Sequence, residues 1–342
     1  MFFRLNASIE YLLGDENLPF QFSLQRQRTI DVLISLFEGE MYPLCEVTTD
    51  WKPSEKNQKI FTQIERGDCN TNPSLFHSTN HRFKRQDGTE IVIPHLLDLP
   101  KHFQDFIQQV SDELEVAAKN VVSILRWRCD LKGSTSYFKS CNLEWSHNKE
   151  FWYQAPANFR EPHLTVTCQH GLSKETQSQL SQLVNEVERE PIYHELFREA
   201  WEQRFQEPRS AIVIGISAAE VSIKQCIGIL VPKPQWLADN LPSPPILDLL
   251  QHYLPTLPAK NQFNGKVLQP PQDVLNALRK GVNIRNSIVH AGKNAPKFES
   301  TENILLAVRD ILWLIDYYCG YEWALNYLSE KTLEQLKESS TN

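Results

Sequence analysis

The stretch 211–231, AIVIGISAAEVSIKQCIGILV, is apolar on nearly every face and is bracketed by Pro208 and Pro232. A helix without a polar side cannot rest on a surface, so the rest of the chain must wrap it or a membrane must take it. Glu220 and Lys224 sit at its centre, and each costs roughly 2.5–3.5 kcal/mol at the middle of a bilayer. The expectation is therefore a buried core helix in a helical domain, with no membrane partner.

The flanking sequence agrees. A helical pattern begins at Leu180, Leu183, Val184 and Val187, and another runs from Ile192 to Phe205 after Pro191. Beyond a proline-rich excursion around a short helix at 246–254, two more helices are expected at about 272–291 and 301–328. The last carries the stripe Ile304, Val308, Ile311, Ile315 and Tyr318. The first half differs. Phe3, Leu5, Ala7, Ile9 and Tyr11 alternate with polar residues, as do Phe20, Phe22 and Leu24. Further strands are expected around 136–145, 150–154 and 164–168. One helix interrupts them, from about Lys101 to Leu125, with Phe103, Phe106, Val110, Leu114, Ala117, Val121 and Ile124 at spacings of three and four. With 342 residues, two domains are expected. The fold class is α+β, with a mixed strand-rich domain over 1–172, a boundary near 172–191, and an all-α helical bundle over 188–331.

Composition removes several chemistries. The 12 glycines are so dispersed that the nearest two, Gly281 and Gly292, are 11 apart. No Rossmann fingerprint, Walker loop, kinase glycine loop or Gly-x-Ser-x-Gly elbow can be built. Seven scattered cysteines, the closest pair 12 apart, leave no Cys-x-x-Cys site and suit reduced thiols in the cytoplasm. The opening MFFRLNASIE carries charge too early for a secretory leader. His77-x-x-x-His81 has the spacing of a helical metal pair but lies in a Ser/Thr/Asn stretch, so a polar loop is expected and no metal site or cofactor is assigned. Asp248 and His252 share a face of the short helix and read as surface pairing. The formal net charge of −7 argues against bulk coating of nucleic acid. Even so, residues 264–297 hold six basic side chains against Asp273 alone, either a local phosphate-binding face or a solvated helix face.

Within that basic stretch, Leu275, Leu278, Val282 and Val289 form a helical stripe with one gap, which Arg285 fills. A bare guanidinium cannot be buried, so Arg285 must be paired or face a cleft. Glu220 is the obvious partner; the alternative for Glu220 is an i,i+4 pair with Lys224.

Arg285-Asn286-x-x-x-His290, near the end of an amphipathic helix in an all-α domain, resembles the Arg-x4–6-His motif of the HEPN superfamily, whose members have Asn, Asp or His directly after the arginine. The helix order over about 190–330 is also similar. The resemblance implies a four- or five-helix unit and a metal-independent endoribonuclease of toxin–antitoxin, CRISPR or anti-phage systems, acting on RNA as a homodimer. It implies catalytic roles for Arg285, His290 and Asn286, support from Glu220, and RNA contacts from Arg279, Lys280 and Lys293. The first domain would then be a sensor for a ligand or regulatory protein. A second copy of the spacing, Arg189 to His194, contains Pro191 and has Glu190 after its arginine, so it fails on context. One departure is that toxins with a tyrosine two residues beyond the histidine have Gly292 there in this chain. The rival expectation is a non-catalytic HEPN-like binding or scaffold module with a structural Arg285–Glu220 pair and a helix-terminal His290.

Overall fold

The computed structural model describes the chain except for residues 10–11, 14–19, 26–27, 36–43, 70–80, 85–89, 132–137, 139, 157–168, 171–172, 188, 232–244, 293–295 and 342. The class is α+β, with strands in the first half and a helical second half. Two compact units form. Met1–Leu131 and Ser136–Arg189 make the first, and Glu190–Asn342 make the second.

The first unit is built on an antiparallel six-stranded sheet. Its strands are β1 (Phe2–Ser8), β3 (Phe20–Gln25), β4 (Thr29–Ser35), β5 (Leu44–Asp50), β8 (Ser140–Ser146) and β9 (Tyr153–Gln154), in the order β3-β4-β5-β1-β8-β9. Two minor pairs join β2 (Leu12–Leu13) to β10 (Gln169–His170) and β6 (His81–Lys84) to β7 (Glu90–Ile93). The alternation of β1 separates its faces as period two demands. Phe3, Leu5 and Ala7 are buried under α1 (Glu55–Arg66) and α2 (Lys101–Arg128), where Phe61 packs on Phe103 and Trp145 at ring separations of 4.9 and 4.8 Å. On the opposite face Arg4 bonds Glu144 and Glu46 and lies over the Trp152 ring.

Two helices of this unit depart from expectation. The strand-rich half carries α1 as well as α2. Only Ile60, Phe61 and Ile64 make its buried apolar face, too thin a stripe to stand out, although the Ser54 cap and left-handed Gly67 mark both ends. The pattern near 180 is α3 (Lys174–Glu186), which belongs to the first unit. The expected strand at 164–168 lies outside the described residues.

In the second unit, α5 (Pro208–Leu230) is the one helix among the described residues long and apolar enough to cross a bilayer. Here α4 (Ile192–Gln203), α6 (Gln272–Ala291) and α7 (Phe298–Tyr318) pack against it and bury Ile212, Ile216, Ile223 and Ile227. α4 and α7 run antiparallel, since His194 meets Asp316 at one end and Phe205, just past α4, stacks on Phe298 at the other. The expected stripe of α7 is buried at all five positions. The helix itself stops at Tyr318 rather than 328, followed by a 3-10 turn at Glu322–Tyr327. The unit continues beyond residue 331 in α8 (Glu330–Thr341). Asp310 on α7 anchors it by accepting hydrogen bonds from Ser329 Oγ (2.6 Å) and Thr332 Oγ1 (2.7 Å).

α6 approaches the bundle through Gly281, whose added Cβ would stand 2.6 Å from Ile304 Cγ2 and 2.7 Å from Ile216 Cδ1. Gly281→Leu is therefore expected to lower stability by about 1–3 kcal/mol through overpacking, despite leucine's better helix propensity. Urea melts of the purified variant measure the loss.

Candidate functional site

The first half of α6 is fixed by burial of Val274, Leu275, Leu278 and Gly281. Its second half is looser. Val289, placed on the core stripe by its spacing, is 53% exposed, and Val282 is half-buried. The helix emerges from the bundle there because Gly281, not Val282, makes the closest approach.

Arg285 fills the gap in the stripe and donates from Nη2 to Glu220 Oε1 on α5. The pair is mostly shielded, with 18% of the arginine and 17% of the glutamate side chain exposed, and Arg285 Nε has no partner. Burial pushes the Glu220 carboxyl above its ordinary 4.5, against the pull of Arg285 and Lys224. Of the two partners open to Glu220 in sequence, the cross-helix arginine takes the hydrogen bond.

His290 is exposed in the last turn, and Asn286 is exposed one turn before it with no side-chain hydrogen bond among the described residues. Gly292, at φ 58°, ends the helix in a left-handed residue whose N–H donates to Ile288 O at 3.1 Å. At about 100° per residue, Arg285 and His290 diverge by about 140°, with about 7.5 Å of rise between them. One chain does not bring the two together. Arg285 faces α5, while His290 shares the outer side of α6 with Arg279 and Asn283. That side forms an open groove of about 540 Å³ whose lining includes Arg279, Lys280, Asn283, Ser287 and Pro296. Lys293 and His77 lie outside the described residues, and His81 opens β6.

The second Arg-x4-His copy has a different fate. His194 Nε2 lies 2.7 Å from Asp316 Oδ2, the Tyr193 hydroxyl donates to Asp316 Oδ1, and the Trp313 ring tilts over the imidazole at 4.3 Å. All four are buried, and burial with the neighbouring Asp316 charge drives the Tyr193 pKa well above its ordinary value. This is a packed polar core joining α4 to α7, closed to substrate. The reasoning applied to Glu220, an acid inside an apolar helix, would have found Asp316 in ILWLIDYYCG as well.

Other candidates fall away. Asp248 and His252 are both exposed, the first just before and the second within a π-helical turn over Leu249–Tyr253 that breaks the i,i+4 register, and they form no ion pair among the described residues. The six described cysteines form no disulfide with one another, and burial pushes Cys45 and Cys129 up to about 12, so neither supplies a thiolate near neutrality. Among the described residues no group of three His, Cys, Asp or Glu side chains is placed to hold a metal ion.

No family model, curated protein or solved structure matches the chain.

The Glu220–Arg285 pair separates the roles of acceptor and charge. Glu220→Ala leaves a half-buried guanidinium without its acceptor and is expected to cost about 1–3 kcal/mol. Glu220→Gln keeps an acceptor for the guanidinium, so it should stay within about 0.5 kcal/mol of the parent. Because the folded-state pKa is raised, Glu220's contribution is complete below about 4.5 and is lost as pH rises through the folded value. Parent stability should therefore fall relative to Glu220→Gln across that rise, measured by urea melts at several pH values.

Proposed function

We propose that the chain is a metal-independent endoribonuclease of HEPN type, active as a homodimer in the cytoplasm as a toxin or anti-phage effector. The observation that carries this reading is the end of α6. Arg285 is held by Glu220, and an exposed imidazole follows five residues later at a helix terminus.

The chemistry suits these groups. Cleavage of RNA without metal needs a base for the 2′-hydroxyl, an acid for the leaving 5′-oxygen, and a cation for the phosphorane. His290 would serve as acid and base, the roles in which an imidazole side chain is most often used. Arg285 would bind the scissile phosphate through its planar fork, with Glu220 positioning it and Asn286 orienting the strand. Because Arg285 and His290 diverge around α6, two copies related by a twofold axis would have to complete one cleft. The first unit would act as a sensor for a ligand or regulatory protein, an assignment by analogy of architecture.

A second reading has its own observation. Arg285 already holds a carboxylate and is mostly shielded, which suits a non-catalytic binding or scaffold module in which the pair is structural.

The test is cleavage of single-stranded RNA in EDTA. The expected products carry 2′,3′-cyclic phosphate ends, and sedimentation at micromolar concentration should show a dimer. His290→Ala should lower the rate by about 10²–10⁴ without changing the melting temperature. Arg285→Lys should also be strongly impaired, since an ammonium lacks the guanidinium fork. Dependence on Mg²⁺, or full activity in His290→Ala, would defeat the assignment; a monomer without activity would favour the scaffold.

A further inference from the structure

We infer that the outer face of α6 is a track for the sugar–phosphate backbone of single-stranded RNA, read without regard to base and leading toward His290. The inference rests on the ribonuclease reading above.

Positions 276, 279, 280, 283, 287 and 290 recur at helical spacing and so share one side of α6. Asn276, Arg279, Lys280, Asn283 and Ser287 line the groove there, over an apolar floor of Ile284, Ile288 and Pro296. Among the described residues the lining thus holds two cations, two carboxamides and one hydroxyl, and no acid. Neither cation has an ion-pair partner among the described residues. Arg279 Nη1 donates to Asn276 Oδ1 at 2.8 Å, a neutral acceptor that orients the guanidinium and leaves its charge uncompensated. Other arginines of this unit, Arg198, Arg204 and Arg285, each meet a glutamate. The one acid on α6, Asp273, is bound by Lys331 of α8, and that contact holds its carboxyl below the ordinary range. No carboxylate of α6 therefore opposes a polyanion in the groove.

The chemistry of the lining selects the occupant. Uncompensated Arg and Lys bind phosphate, while carboxamides and a hydroxyl can give and receive hydrogen bonds with a ribose 2′-hydroxyl. The apolar floor suits the sugar ring. Among the described residues no aromatic side chain lines the groove, and the polar groups that do line it are suited to the backbone.

The experiment uses the full chain carrying His290→Ala, so that the strand survives, and reads binding of a fluorescent oligouridine by anisotropy across a salt series. Arg279→Gln with Lys280→Gln should weaken binding at least tenfold at low salt. It should also reduce the slope of log K against log [salt] by about 1.4, from about 0.7 per single-strand phosphate contact. Lys337→Gln, at an exposed lysine on α8, shows what the loss of one positive charge outside the groove does and should change neither. Oligodeoxyuridine should bind less tightly than oligouridine, and Asn283→Ala with Ser287→Ala should narrow that difference. Thermal melts confirm that each variant is folded. Unchanged affinity and slope in the Arg279/Lys280 variant, or an equal loss in Lys337→Gln, overturns the track. So does conversion of a dimer to a monomer by the Arg279/Lys280 change without loss of RNA affinity, which would make the groove the seat of a second copy. Cleavage by the His290-intact protein, run in parallel, separates the two ideas. EDTA-resistant cleavage with an unaltered groove variant sinks the track alone, whereas absence of both binding and cleavage sinks both.

Discussion

A helix that is apolar all round and carries one acid halfway along imposes two demands that organise the second unit. Its surface must be covered from several sides, and its carboxylate must be met by a donor in that cover. α4, α6 and α7 meet the first demand, and Arg285 meets the second. The fit is close enough that α6 can approach only where it lacks a side chain, at Gly281. α7 answers the same problem twice more. Asp310 receives the cap of the last helix and Asp316 receives Tyr193 and His194. Each buried acid in an apolar helix here has a donor assigned to it from a different element, so polar satisfaction and helix order are solved together.

Elements with strong periodicity are legible in the sequence alone. The alternation of β1, the seven-residue stripe of α2 and the stripe of α7 needed nothing beyond spacing. Those that escaped notice are weakly apolar or are stabilised by distant partners. α1 offers three buried apolar residues in twelve, and its burial depends on Phe3 and Trp145 from strands far away in the chain. α8 is mostly polar and is held by the Asp310 carboxylate. The end of α7 at Tyr318 sits against the chain that precedes α6, where Tyr318 Oη accepts from Leu268 N at 2.9 Å, a contact that no local pattern encodes.

The candidate site was legible in part. Helical spacing alone put Arg285 on the inner stripe and turned His290 away from it, and the unusual position of a cation on an apolar stripe pointed to Glu220. Spacing could not show that α6 leaves the bundle after Gly281, which exposes Val289, or that its outer side lines a groove. Nor could it rank the two Arg-x4-His copies by burial; context did, and His194 is in fact enclosed beneath Trp313.

The division of labour along α6 has a consequence for reading natural variation. Glu220 is embedded in α5 and takes its cross-helix hydrogen bond from Arg285, so the pair has a structural role whatever else Arg285 does. In divergent versions of this chain those two positions are expected to change together, and their joint persistence does not separate a structural pair from a phosphate-binding one. Position 290 is under no such obligation, since an exposed imidazole in the last turn supports nothing around it. Drift would erase that histidine within the same span that leaves the pair intact. A histidine that persists there has been kept for what it touches outside the chain.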